Sequence, residues 1–179
     1  MQGGHFTASA GGKDFFLVNG RDVLSLIDLE RVAFGFLGSD VYCETRFLPD
    51  GVEARFEPVT KAIGWLALAT YEGKAEEVTN AARAGEKINV VTKYPLSLRR
   101  LALTEGLCLR DVYRPAGKVE AMLALGIGDA IYDIVQTGET LNENNMVVVQ
   151  PGEPLLLGAV YKDLEKRVER ILSYNAKQL

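Results

Sequence analysis

Along the chain, apolar residues gather into short runs separated by polar segments and glycine. The turn-like Gly11-Gly12-Lys13-Asp14 precedes Phe15-Phe16-Leu17-Val18, so the chain is expected to open with a hairpin whose first strand includes Phe6-Thr7-Ala8. Asp22 or Ser25 can cap a helix running toward Glu30, with Val23, Leu24, Leu26, Ile27 and Leu29 as its apolar face. Val32 to Leu37 reads as a buried strand, Ile63 to Tyr71 as a central strand in which Trp65 packs, and Ile88 to Thr92 as another strand. Between them, Pro49-Asp50-Gly51 marks a turn, and Glu76 to Ala84 a solvated helix ended by Gly85. Beyond Thr92 the pattern predicts a helix over Leu96 to Glu105, a strand over Leu107 to Tyr113, a helix over Val119 to Leu125 and a strand over Asp129 to Val135. A short helix from Leu141, strands at Met146 to Val149 and Leu155 to Leu157, and an amphipathic helix from Asp163 to Tyr174 complete the series. Alternating strands and helices predict an α/β fold.

Composition narrows the function. The 179 residues are 47% hydrophobic and 25% charged, which suits a folded chain of one domain or two small lobes. A net charge of -4 gives no general attraction to nucleic acid or to an anionic membrane, so a phosphate-bearing ligand must be held by a local site. The absence of a DNA-binding helix pair or basic stripe leaves a transcription-factor effector domain unsupported. No apolar run approaches the roughly 18 residues that span a bilayer. The opening residues carry no secretory pattern, so the protein is expected in the cytoplasm with Cys43 and Cys108 reduced. With His5 the one histidine, these residues are too few and too scattered for zinc.

The stretch from Gly128 to Leu141 carries the most chemistry. Asp129 and Asp133 are four residues apart on a strand and project from one face with Ile131 between them, a costly placement unless hydrogen-bond donors such as ribose hydroxyls meet them. Thr137-Gly138-Glu139-Thr140 follows directly. There glycine admits close backbone approach, and the amides of the next helix with the threonine hydroxyls can surround a phosphate. The residues alone equally allow a turn aspartate, an edge aspartate and an ordinary capped loop. Gly38-Ser39-Asp40, at the end of a strand, can hold an anion or merely turn and cap. Arg21-Asp22 can be a helix start, and Lys93 and Lys118 can be solvated.

GDAIYDIVQTGETLNENNM resembles the phosphoribosyl pyrophosphate motif of ATP phosphoribosyltransferases. RDVLSLIDLERVAFGFLGSDV resembles that family's first-lobe helix, strand and Gly-x-Asp turn, INVVTKYP its lobe crossover, and AGKVEAMLALG its Gly-Ser-Val-Glu helix start, with Lys118 in place of the usual serine. The resemblance runs from about Phe6 to Ala159. It implies a two-lobed fold of the type II periplasmic-binding-protein kind with a ligand cleft between lobes, the first lobe being 1-87 plus 147-179 and the second 88-146. It further implies that Asp129 and Asp133 bind ribose hydroxyls, directly or through Mg2+. Thr137, Gly138, Glu139 and Thr140 would hold the 5′-phosphate, flanked by Gln136 and Leu141. Glu120 would lie near the nucleotide, and Lys93, Lys118, Arg21, Gly38, Ser39 and Asp40 would face the cleft.

The implied reaction joins phosphoribosyl pyrophosphate to N1 of ATP, giving phosphoribosyl-ATP and pyrophosphate, the first step of histidine biosynthesis. The implied partners are a regulatory subunit related to histidyl-tRNA synthetase and further copies of the chain. The family's opening strand and glycine-containing basic loop have no counterpart before Phe6. The first-lobe sheet is therefore expected to lack a strand unless another chain supplies it, the fold rearranges, or this is a fragment. The alternative is a relative that binds phosphoribosyl pyrophosphate or nucleotide without turnover.

Overall fold

A computed structural model of the protein describes residues 7-46 and 54-162. It begins with the expected hairpin, β1 (Thr7–Ala10) and β2 (Lys13–Phe16). There follow α1 (Gly20–Asp28), β3 (Gly35–Gly38), α2 (Ser39–Thr45) and β4 (Ala54–Pro58). Next come β5 (Gly64–Tyr71), α3 (Ala75–Arg83), β6 (Ile88–Thr92), α4 (Pro95–Glu105) and β7 (Leu109–Tyr113). Then come α5 (Val119–Ala124), β8 (Ala130–Val135), α6 (Glu139–Glu143), β9 (Met146–Leu155) and β10 (Leu157–Lys162). The expected turn at Pro49 to Gly51 and helix at Asp163 to Tyr174 lie outside the described residues.

Apart from the hairpin, the strands form two sheets, ordered β3-β10-β4 and β7-β6-β8-β5-β9. The first sheet is antiparallel and packs Leu37, Ala54 and Val160 against Val23, Leu24 and Ile27 of α1. Gly158 leaves the space in which the Phe56 ring sits, so a Cβ there would strike that ring. In the second sheet β6 runs parallel to both β7 and β8, while β5 is antiparallel to β8 and β9. Parallel neighbours require crossovers, which α4 and α5 provide. The first crossover runs from β6 to β7 and the second returns from β7 past β6 to β8, and the helices cover opposite faces: Leu98 and Leu101 of α4 pack on one face, Val119 and Leu123 of α5 on the other.

The boundaries expected at 88 and 146 cut through this second sheet. β5 and β9, assigned in advance to the first lobe, are hydrogen-bonded into it, with β5 registered on β8 from Trp65↔Val135 to Ala69↔Ile131. The reason lies in β5 itself. Leu66 and Leu68 join one core cluster and Ala67 and Ala69 the other, so the strand needs cover on both faces, which helices on both sides of the large sheet supply. The chain instead passes between the sheets at 59-63 and 155-157, where Val59 N donates to Leu157 O and Ile63 N to Leu155 O, both at 2.9 Å.

Other differences are local. Asn19, rather than Asp22 or Ser25, caps α1, its side chain accepting from Arg21 N at 3.0 Å. The strand expected from Val32 starts at Gly35, and the helix expected from Leu141 starts at Glu139. Leu155 and Leu157 belong to two strands, the end of β9 and the start of β10. Trp65, expected to pack, is 41% exposed, and the β1–β2 hairpin is exposed along both strands.

Candidate functional site

The parallel pair β6 and β8 sets the site, because both strands end side by side and crossovers leave in opposite directions there. Such a point in an α/β sheet leaves a crevice beyond the strand ends. Thr92, fully buried at the end of β6, stitches the two strands together: its hydroxyl donates to Tyr132 O at 2.7 Å and accepts from Tyr94 N at 2.9 Å. The register pairs Thr92 with Tyr132, so Lys93, just past the end of β6, comes beside Asp133 of β8.

Asp133 is half-buried on the face of β8 that carries Ile131 and Val135. Burial raises its carboxyl above the ordinary value; the Ile134 amide and Lys93 pull it down, and Glu120 and Asp40 push it up again. Beyond Val135 the chain turns through Gln136 and Thr137 to Gly138, whose φ of 80° is a left-handed conformation that side-chain-bearing residues rarely adopt. Gly138 is the N-cap of α6 and supplies no capping side chain, so the first amides of that helix lack intrahelical acceptors. Thr137 Oγ accepts from Glu139 N at a long 3.4 Å. Leu141 anchors the turn by burying into the core.

These groups line a cavity of about 240 Å³, bounded by Glu120, Asp133, Gln136, Thr137, Gly138, Thr140 and Leu141, with Ala67 and Ala69 of β5 along its wall. The alanines were not anticipated as site residues. Their signal is the alternation Leu66-Ala67-Leu68-Ala69, in which the small side chains share the face of Ile131 and leave room beside Asp133.

The other expected residues fall elsewhere. Asp129 lies at the opposite end of β8, about 13 Å from Asp133 at 3.3 Å per residue. Its carboxylate accepts from Asn89 N at 2.8 Å and its carbonyl from the Thr70 hydroxyl at 2.7 Å, so it fastens β8 between β6 and β5 rather than facing the cavity. Ser39 is also engaged: its amide donates to Leu156 O at 2.8 Å and its hydroxyl accepts from Leu156 N at 3.0 Å, binding α2 to the crossing between the sheets. Neither Ser39 nor Asp40 caps α2; the N-cap is Gly38, where a Cβ would collide with the Asp40 carboxylate. Lys118 is exposed at the N-cap of α5, and Glu139 is exposed in the first turn of α6.

Asp40, buried in α2 of the first sheet, does come near the cavity, since its charge acts on Asp133. Tyr94, which sequence reasoning did not single out, feels both charges. Burial holds its phenol strongly protonated, Asp133 and Asp40 reinforce this, Arg21 opposes it, and Glu44 adds to it. Groups from both sheets thus converge on one place: Asp40, Glu44 and Arg21 from the first, Asp133 and Lys93 from the second.

A two-lobed α/β protein of the type II periplasmic-binding-protein kind, with its cavity at the ends of parallel strands, is the class these features define. Solved structures agree on the fold. The ATP phosphoribosyl transferase (HisG:HisZ) complex from Thermotoga maritima is similar with a TM-score of 0.67 at 23% identity, covering 99% of this chain and 83% of that one. A putative periplasmic sulfonate-binding protein from Methylobacillus flagellatus is similar with a TM-score of 0.51 at 10% identity, covering 92% of this chain and 61% of that one. The family model described as HisG, ATP phosphoribosyltransferase, matches residues 19–155, and the chain belongs to that family. Among relatives, the ATP phosphoribosyltransferase of Acidithiobacillus ferrooxidans is 28% identical over 141 residues, 79% of this chain and 63% of that protein. That of Cupriavidus taiwanensis is 29% identical over 134 residues, 75% of this chain and 57% of that protein. The chain therefore spans about three fifths of the length of these curated relatives.

Proposed function

We propose that the protein transfers the phosphoribosyl group of phosphoribosyl pyrophosphate to N1 of ATP, forming phosphoribosyl-ATP and releasing pyrophosphate at the start of histidine biosynthesis. The observation that carries this reading is the juxtaposition of the Thr137–Thr140 turn with the half-buried Asp133 in one cavity. A turn opened by a left-handed glycine and followed by uncapped amides suits the 5′-phosphate, and the carboxylate beside it suits the ribose hydroxyls. Domain membership supports a division of labour in which the five-stranded lobe takes the sugar phosphate and the first lobe, through Arg21 and Asp40, takes the nucleotide.

In the reaction N1 forms a bond to the anomeric carbon as the bond to pyrophosphate breaks, and positive charge develops on the sugar ring, as in glycoside cleavage. Asp133 faces that charge as a carboxylate. Lys93, just past the end of β6, balances it in the resting site, and Glu120 closes the side of the cavity toward α5. Positioning two substrates in one crevice supplies the advantage of an intramolecular reaction, so no protein nucleophile is needed.

A protein-held metal does not fit, because no cluster of three His, Cys, Asp or Glu side chains among the described residues is arranged to hold an ion, and Asp129 is engaged elsewhere. In this reading Mg2+ enters on the diphosphate as part of the substrate. The Thermotoga structure is of a two-protein complex, which supports a regulatory subunit as a partner here, alongside further copies of the chain. The cytoplasm, where nucleotide substrates are at hand, is the proposed location. None of the described helices is long and apolar enough to cross a membrane.

The test mixes the purified chain, alone and with a short-form regulatory subunit, with ATP, phosphoribosyl pyrophosphate and Mg2+, and follows phosphoribosyl-ATP by ultraviolet absorbance. Turnover lost in Thr137→Ala and Asp133→Ala is expected. Binding of phosphoribosyl pyrophosphate without turnover in either setting would overturn the transferase reading and make the protein a binding relative.

A further inference from the structure

Helix α2 touches more of the molecule than its seven residues suggest. At its start Ser39 is bonded to the crossing between the sheets, and Asp40 is a buried carboxylate whose charge is felt at Tyr94 and Asp133. Tyr42 joins the first-sheet core and donates its hydroxyl to Ala54 O at 2.7 Å, so the helix moves with the first lobe. Four residues beyond Asp40, and so on the same face, stands Glu44.

Glu44 reaches the other lobe. Its Oε1 accepts from Leu96 N at 3.1 Å and Ser97 N at 2.9 Å, and its Oε2 lies 3.2 Å from Leu96 N. These amides belong to the first turn of α4, which packs on the five-stranded sheet and has no side-chain cap of its own. A carboxylate from one lobe therefore caps a helix in the other, one residue past Tyr94 and Pro95. Ser97 is wholly buried and its hydroxyl has no partner, so without Glu44 its amide would be orphaned as well. Beside the contact, Arg100 of α4 and Glu153 of β9 pair at 2.8 Å, and Arg100 Nη1 lies 3.7 Å from Cys43 Sγ, next to Glu44 on α2.

We infer that Glu44 is a positioning residue: by capping α4 from the opposite lobe it fixes the separation of the lobes and holds Asp40 across the cleft from Asp133. For its effect on catalysis this rests on the phosphoribosyl-transfer reading; for its effect on lobe separation it does not. The 5′-phosphate turn lies within one lobe and is indifferent to Glu44, whereas the nucleotide must touch both lobes and is sensitive to it.

The experiment compares the full chain with Glu44→Ala and Glu44→Gln by solution X-ray scattering and steady-state kinetics. Glutamine keeps an acceptor oxygen and serves as the conservative rescue. Glu44→Ala is expected to enlarge the radius of gyration and to raise the KM for ATP about tenfold, equivalent to about 1.4 kcal/mol, while the KM for phosphoribosyl pyrophosphate changes less than about twofold. Glu44→Gln is expected to scatter like the unaltered chain. A merely structural role would lower kcat through the active fraction and leave both KM values alone; that outcome, or a radius of gyration unchanged in Glu44→Ala, overturns the inference. If the chain turns nothing over, the scattering comparison decides by itself, so the failure of the transferase reading stays distinct from the failure of this one.

Discussion

Two aspartates four residues apart on one strand do different work. Asp133 looks into the cavity, whereas Asp129 spends its carboxylate on the Asn89 amide. Asp129→Ala should therefore leave a half-buried amide unpaired and destabilise the protein by about 1–3 kcal/mol, with phosphoribosyl pyrophosphate affinity of the folded chain unchanged in calorimetric titration. Asp133→Ala should show the reverse, affinity lost and stability kept. Asp133 also makes a pH prediction. Its carboxyl is raised from 3.8 by burial foremost and by Glu120 and Asp40, against the Ile134 amide and Lys93. A raised folded-state value means that the protonated acid is favoured by folding. Its contribution is complete below 3.8 and is lost as pH rises through the folded value. Asp133→Asn, which stays neutral, should gain thermal stability relative to the unaltered chain as pH climbs through that range. Melting curves at several pH values check this, and a difference that is flat or of opposite slope would refute it.

At the scale of elements, β8 with its following turn is where the sequence spoke most clearly. The strand, the glycine and the threonines were legible because each has a local signature: apolar residues flanked by turn formers, and a left-handed glycine where a helix begins. Gly138→Ala tests that turn. Nothing lies within 4 Å of the added Cβ, so the cost is the left-handed backbone alone, about 1–2 kcal/mol. The turn is expected to relax away from φ 80°, weakening inorganic phosphate and phosphoribosyl pyrophosphate binding together in calorimetry. What was not legible was pairing. Asp129 shows the alternation of a ligand strand, yet its partner Asn89 lies forty residues earlier, a contact that period and composition do not encode. The same holds for Glu44, whose role depends on α4 arriving beside α2. The Asn19 cap was missed for a simpler reason, as Asp22 and Ser25 offered equivalent side chains nearby.

For the whole molecule, the sequence divided the lobes at the wrong strands because a central strand looks the same whichever sheet it enters. IGWLALATY reads as buried on both faces, and only the register with Ile131 to Val135 assigns β5 to the larger sheet. The true crossings at 59-63 and 155-157 carry short side-chain ties that matter to the relation between lobes. Thr60 Oγ accepts from Leu157 N at 3.0 Å, and Ser39 Oγ from Leu156 N at the same distance. Ser39 resembles a cleft residue in sequence, and the resemblance and the structure give opposite expectations for its removal. As a ligand contact, Ser39→Ala would weaken substrate binding and leave the fold alone. As a tie on the crossing, it orphans the part-buried Leu156 amide and should cost about 1–2 kcal/mol of stability. It should also speed hydrogen exchange at Leu156 and leave inorganic phosphate affinity as it was, because the Thr137–Thr140 turn proposed for the phosphate follows β8 in the other sheet and makes no bond to Ser39. Hydrogen exchange and a phosphate titration on the same variant separate the two. Faster exchange with unchanged affinity places Ser39 in the hinge, whereas unchanged exchange with weakened affinity returns it to the cleft.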